Sequence, residues 1–192
     1  MGKERLTAFT DGVVAIIITI MVLELKLPKG GSLADLLPLA PVLVSYVLSF
    51  VYVAIYWNNH HHMMHLATSV TGPILWANMH LLFWLSLTPF AMGWVGENHL
   101  AAFPVAVYGG LLLMTAIAFS ILMTLLVRHE GPDSPLARAM GSDLKGKLSL
   151  AINAAGIALA FVQPLAAIGC YVVIAVIWFV PDRRVERVIV PD

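Results

Sequence analysis

Arg5-Leu6-Thr7-Ala8-Phe9-Thr10-Asp11-Gly12-Val13-Val14-Ala15-Ile16-Ile17-Ile18-Thr19 passes from charged to apolar within two turns of a helix and then stays apolar. The run it opens extends over residues 9–27, where Pro28 and the loop Lys29-Gly30-Gly31-Ser32 close it. About 20 predominantly apolar residues are what a helix needs to cross a bilayer, and this stretch supplies them. Ionisable side chains at the edge of such a helix are costly in lipid and mark a functional or structural pivot. Arg5 and Asp11 are six apart, on different helix faces, so each needs a partner on another helix or another subunit.

Working outward, the chain repeats this kind of run. Further spans are expected at 36–57, 73–95 and 101–127, followed by a charged loop at 128–147 rich in Gly, Pro and Ser. The apolar block from Leu148 to Val180 is too long for one untilted helix. Gln163-Pro164 near its middle reads as a turn, because proline interrupts a helix and biases its predecessor away from helical angles. Two short spans, 148–162 and 165–180, result. The expectation is one all-α domain over residues 1–192, a polytopic membrane protein of six transmembrane helices. Six crossings place Lys3, Arg5, Arg128, Arg138, Lys145, Lys147, Arg183, Arg184 and Arg187 on the cytoplasmic side with both termini. Of the eleven basic residues, this leaves Lys26 and Lys29 outside.

Composition agrees and excludes other classes. Hydrophobic residues make up 60% of the 192 and charged residues only 11%, against roughly 25% charged in an ordinary soluble domain. The net charge is zero, so the basic footprint of a nucleic-acid partner is missing. Cys170 stands alone, which rules out an intrachain disulfide. The first apolar run is too long for a cleavable signal, so it is expected to stay as a span of a multi-pass protein in the cell membrane. No nucleophile is paired with a base and no phosphate-binding glycine loop occurs, so no enzyme is expected. Paired broken helices, as in a secondary ion transporter, are not evident, although that reading and a histidine-based membrane metal handler are the alternatives. His61 and His65 lie four apart beside Met63 and Met64, yet two imidazoles without a carboxylate or thiolate make an incomplete zinc site. No metal and no cofactor are expected. The tract from Asn58 to His62 is expected as a polar stretch beyond the second span.

On one face of the first helix lie Phe9, Gly12, Ile16, Thr19 and Leu23, spaced by three and four. A packing seam is one reading, since small and hydroxyl residues often sit between membrane helices; a lining around an axis is the other. Ala151, Ala155, Gly156 and Ala158 suggest a small-residue contact face near the fifth span, and Asn153 a hydrogen bond inside the bundle.

The opening motif Arg-x-x-x-Phe-(Ser/Thr)-Asp-Gly, carried by Arg5, Phe9, Thr10, Asp11 and Gly12, resembles the signature of the endosomal and lysosomal potassium channel family. Trp57, His60, His61, Asn78, Pro89 and Tyr108-Gly109 extend the resemblance through the fourth helix. The resemblance implies a potassium-preferring cation channel without a filter loop, in which four copies of a six-helix unit surround one pore. The first helix would line that pore, with Ile16 as an apolar constriction, Thr19 as a polar ring and Leu23 as a second apolar ring. Arg5 and Asp11 would hold the helices in register with polar partners on the second and third helices, for which His60, His61 and Asn78 are candidates. The implied partners are monovalent cations, the lipid bilayer and three further copies of the chain.

Overall fold

The computed structural model describes residues 2–140 and 144–179. Arg183, Arg184 and Arg187, which enter the charge argument above, lie outside the described residues. Among those described, every regular element is helical: α1 (Lys3–Leu23), α2 (Leu33–Leu36), a 3₁₀ turn (Leu37–Leu39), α3 (Ala40–Leu66), α4 (Gly72–Ser86), α5 (Thr88–Glu97), α6 (Ala102–Glu130), α7 (Pro135–Met140), α8 (Leu144–Ala160) and α9 (Pro164–Phe179). Four stretches are long and apolar enough to cross a membrane: Lys3–Leu23, Leu33–Leu66, Gly72–Glu97 and Ala102–Glu130. α8 has 17 residues and α9 has 16, so at 1.5 Å per residue each is about 25 Å long. They form a close antiparallel hairpin, turned at residues 161–163 just before Pro164.

Several boundaries differ from the sequence expectation. The first span, expected at 9–27, is α1 at Lys3–Leu23, and the fifth, expected at 148–162, is α8 at Leu144–Ala160. The second span does not stop at Trp57; α3 continues through the histidine tract to Leu66. Polar side chains do not end a helix whose backbone bonds are intact, and here His60 is also buried inside the bundle. The third span is jointed at Leu87, whose ψ of −6° ends α4. Pro89 lies in the first turn of α5, where its missing N–H is no loss. In the charged loop, residues 135–140 form the single-turn helix α7. Between α5 and α6 the chain turns through His99 and Leu100, both with positive φ, and the Leu100 N–H bonds back to the Val95 carbonyl at 3.0 Å. This caps α5 in the manner of a Schellman turn.

α1 packs on α3, α4 and α5, while α6 lies at the centre of the other half against α4 and α8. Tyr171 of α9 is the anchor of that half. It is fully buried, and its hydroxyl donates to the Val105 carbonyl at 3.4 Å. A Cβ at Gly109 would stand 1.9 Å from the Tyr171 hydroxyl, and one at Gly156 would stand 2.7 Å from its ring. Two glycines on two helices are therefore the room that this tyrosine occupies. The small-residue face of α8 needs correction accordingly. Ala151, Ala155 and Ala158 point outward, and the buried stripe is Ser149, Asn153, Gly156 and Ala160. Tight packing onto an aromatic ring selects the residue facing that ring, not the greatest density of small side chains.

Both ends of the bundle are tied. At the N-terminal end the Lys3 ammonium donates to the Ala67 carbonyl at 2.8 Å, and Glu130 accepts from the Thr68 backbone N–H at 2.8 Å. At the other end Lys26 pairs with Glu97. The Glu97 carboxylate holds the Lys26 ammonium above the usual lysine range. Both side chains are solvated, so this pair orients the loop more than it stabilises the fold.

Candidate functional site

α1 has two faces of nearly equal hydrophobicity and opposite circumstances. Leu6, Thr10, Val14, Ile17 and Met21 recur at intervals of four and three and are buried against neighbouring helices. On the other side Phe9, Gly12, Ile16, Thr19 and Leu23 are exposed in the single chain. Ile16 is 59% exposed and Leu23 78%, whereas Ile17, one position on, is 3% exposed. Nothing stands within 4 Å of where a Cβ at Gly12 would be. The outer stripe is thus a largely apolar band about four turns long that its own chain leaves exposed.

Thr19 interrupts that band with a hydroxyl whose direction is fixed. Its Oγ1 donates to the Ala15 carbonyl of the preceding turn at 2.8 Å. The proton is spent within the helix, so the oxygen lone pairs face outward as acceptors. Such a group suits a cation better than an anion.

Behind the exposed face a hydrogen-bonded chain ties α1 to α3 and α4. Asn78 of α4 is the hub: its Nδ2 donates to Thr10 Oγ1 at 2.9 Å, and its Oδ1 meets His60 Nε2 at 2.8 Å. With Oδ1 as the acceptor, His60 carries its proton on Nε2. All three residues are buried, and an amide with both ends engaged joins three helices at one depth. Within lipid such bonds are individually modest, about 0.6 kcal/mol on average. Removing the hub, however, leaves two buried groups without partners, at about 1–3 kcal/mol for each.

Asp11 takes a different partner from those expected. The Trp57 indole Nε1 donates to Asp11 Oδ1 at 2.8 Å, and the Trp57 ring stacks on His61 with centroids 5.8 Å apart. His61 therefore supports Trp57 and does not bond the carboxylate. The signal available in the sequence was Trp57 itself, a helix-borne donor three residues before His60 and so on the same side of α3. Arg5 is exposed and pairs with no carboxylate among the described residues. Of the signature residues, Thr10 and Asp11 reach neighbouring helices through these bonds. Phe9 and Gly12 belong to the uncovered stripe.

The histidine tract does not gather into a ligand set. Among the described residues no group of three or more His, Cys, Asp or Glu side chains could hold a metal ion. His60 is committed to Asn78, while His61 and His65 are exposed on α3.

Comparison with known proteins gives a consistent set of relatives. A family model described as endosomal/lysosomal potassium channel TMEM175 matches residues 5–89, which span α1 to the start of α5. A potassium channel of Chryseobacterium sp. (strain P1-3) is 53% identical over 97% of this chain and 97% of its own. One of Streptomyces collinus is 32% identical over 70% of this chain and 72% of its own. Among solved structures, the crystal structure of a lysosomal potassium-selective channel TMEM175 homolog from Chamaesiphon minutus covers 95% of this chain and 97% of that one. Its TM-score is 0.81 at 27% identity.

Proposed function

This chain belongs to the endosomal/lysosomal potassium channel TMEM175 family, and from that premise we propose that it is a potassium-preferring channel subunit whose α1 lines a pore shared by four copies. The family is one of ion channels, not enzymes. The observation that carries this reading is the uncovered stripe of α1, apolar at Ile16 and Leu23 and polar at Thr19. One chain has no interior axis for water. Four copies arranged with closed symmetry can enclose one, and doing so would cover the stripe that a single chain leaves bare.

In that arrangement four Ile16 side chains form an apolar ring that excludes water, and an ion meets there a barrier of lost hydration. One turn further on, four Thr19 hydroxyls present outward lone pairs that replace part of a potassium ion's hydration shell. Leu23 forms a second apolar ring towards the far mouth. No carboxylate lies on the stripe from Gly12 to Leu23, so discrimination rests on neutral oxygens and favours weakly hydrated monovalent ions. The Asn78 hub and the Trp57–Asp11 bond fix the rotation of α1, which decides whether Ile16 or Ile17 meets the axis. The permeant species is potassium. The chain makes six crossings of the cell membrane with both termini cytoplasmic, a reading supported by the clustering of Lys3, Arg128, Arg138, Lys145 and Lys147 at one end.

Reconstitution tests the reading directly. Purified protein in liposomes should pass potassium down its gradient, uncoupled and voltage-driven, faster than sodium. Native mass spectrometry should give four chains per particle. Saturating exchange coupled to a second ion, or full conductance from a monomer, would overturn the pore.

A further inference from the structure

Away from α1, the half-bundle formed by α3, α6, α8 and α9 contains a partly enclosed cavity of about 50 Å³. Asn59, Gly146 and Trp178 line it close to the helix ends at the N-terminal side of the bundle, and Asn153 lies about 10 Å further in along α8 from Gly146. Asn153 is 4% exposed, and its Oδ1 accepts no hydrogen bond from the described residues. The bond within the bundle that its sequence position suggested is therefore not made by this oxygen. Buried polar side-chain atoms nearly always have a partner, either in the protein or in ordered water. This one lacks the first and borders a space that can hold the second.

The neighbouring polar groups narrow what the occupant brings. Asn59 Nδ2 donates to the Ile55 carbonyl at 2.8 Å, and the Ser120 hydroxyl donates to the Ala116 carbonyl at 2.9 Å. Each has turned a proton to its own helix and keeps an oxygen able to accept. Tyr56 adds a phenol that both donates and accepts. The lining is thus rich in acceptors, and they stand on α3, α6 and α8. A small molecule with two protons to give, and a lone pair to receive one, answers that pattern. Water is that molecule. It takes about 10–15 Å³ of such space and seeks two to four partners, so about three waters fit. Among the described residues no charged side chain lines the cavity, so no carboxylate balances a cation there, and a lipid chain far exceeds its volume.

We propose that this cavity is a binding site for ordered water, a small cluster anchored on Asn153 Oδ1 that joins α8 to α3 and α6 where the side chains do not reach one another. The site is separate from the α1 stripe, and its test does not depend on ion flux.

Two measurements on the purified full-length oligomer in bilayers test it, with water itself as the probe. A density map fine enough to show waters should place a peak within about 3.2 Å of Asn153 Oδ1. Hydroxyl radicals made by brief irradiation in ¹⁸O-labelled water should oxidise buried side chains that touch bound water. Met123 lines the cavity, whereas Met21 and Met92 are fully buried elsewhere. Met123 should take up label about tenfold faster than either of them. Asn153→Leu removes the anchor at similar volume and should lower Met123 labelling about tenfold, since apolar cavities stay dry. Asn153→Ser keeps an acceptor and should preserve the labelling. If Asn153→Leu does not assemble, the map and the contrast between Met123 and Met21 in the unaltered protein decide. An empty cavity in a map that shows waters elsewhere would overturn the proposal. So would a protein donor or an elongated lipid density at Asn153, Met123 as protected as Met21, or labelling of Met123 that survives Asn153→Leu.

Discussion

Ile16 and Ile17 are chemically identical neighbours on α1, yet one is more than half exposed and the other is sealed among other helices. The same division runs the length of the helix. The stripe Leu6, Thr10, Val14, Ile17 and Met21 is completed by its own chain, through packing and through the Asn78 bond at Thr10. The stripe Phe9, Gly12, Ile16, Thr19 and Leu23 is completed by nothing in its own chain. Hydrophobicity alone therefore does not identify a pore face or a packing face. What distinguishes them is whether the subunit already supplies a covering.

The sharpest way to break this comparison is to put the same polar group on each stripe. Ile17→Asn removes a buried aliphatic side chain and buries an unpaired amide, at a cost of about 4 kcal/mol or more. Loss of folded oligomer is expected, read as monodisperse yield in detergent. An unchanged yield would mean that the buried stripe is not what holds α1.

Asn78→Leu should come next, since it leaves Thr10 and His60 without their shared partner. A loss of about 2–6 kcal/mol in total is expected, seen as a lower thermal midpoint of the assembled protein. If Thr10→Val in the Asn78→Leu background costs little more, the two residues act as one unit. Fully additive losses would instead separate them.

Ile16→Asn belongs to the other stripe and should leave yield and midpoint nearly unchanged. Its effect is on permeation. Polar groups at the constriction should raise potassium flux in liposomes about tenfold, corresponding to about 1.4 kcal/mol off the barrier. Assembled protein that conducts no better than the unaltered form would remove Ile16 from the role of gate. A collapse in yield like that of Ile17→Asn would erase the distinction between the stripes altogether.

Thr19→Ala is the mildest. The hydroxyl's only internal bond is to its own helix, so stability should move by less than about 0.5 kcal/mol. The ratio of potassium to sodium flux should fall while total flux persists. An unchanged ratio would assign selectivity elsewhere on the stripe.

Much of the architecture was legible because it is written locally. Runs of apolar residues of spanning length, proline at residue 164 and the opening signature each depend on neighbours in the chain. The three-and-four spacing of Ile16, Thr19 and Leu23 likewise picks out one face of α1. Other features are not local. Asp11 meets Trp57 and not a histidine because the rotation of α3 about its own axis turns the indole towards α1. The histidine tract is helical because the bundle needs His60 inside at the depth of Asn78.

By itself, the sequence determined that this chain is an all-helical membrane protein with a periodic face on its first helix, since hydropathy and spacing are properties of one strand of residues. Only the tertiary structure decided which face is already covered, which partners Thr10 and Asp11 find, and why Gly109 and Gly156 rather than the alanines of α8 make the close contact. It also decided that Asn153 is buried with its oxygen unanswered. These outcomes follow from the relative rotation and depth of packed helices. Those are set jointly by all the side chains at each interface and are carried by no single stretch of sequence.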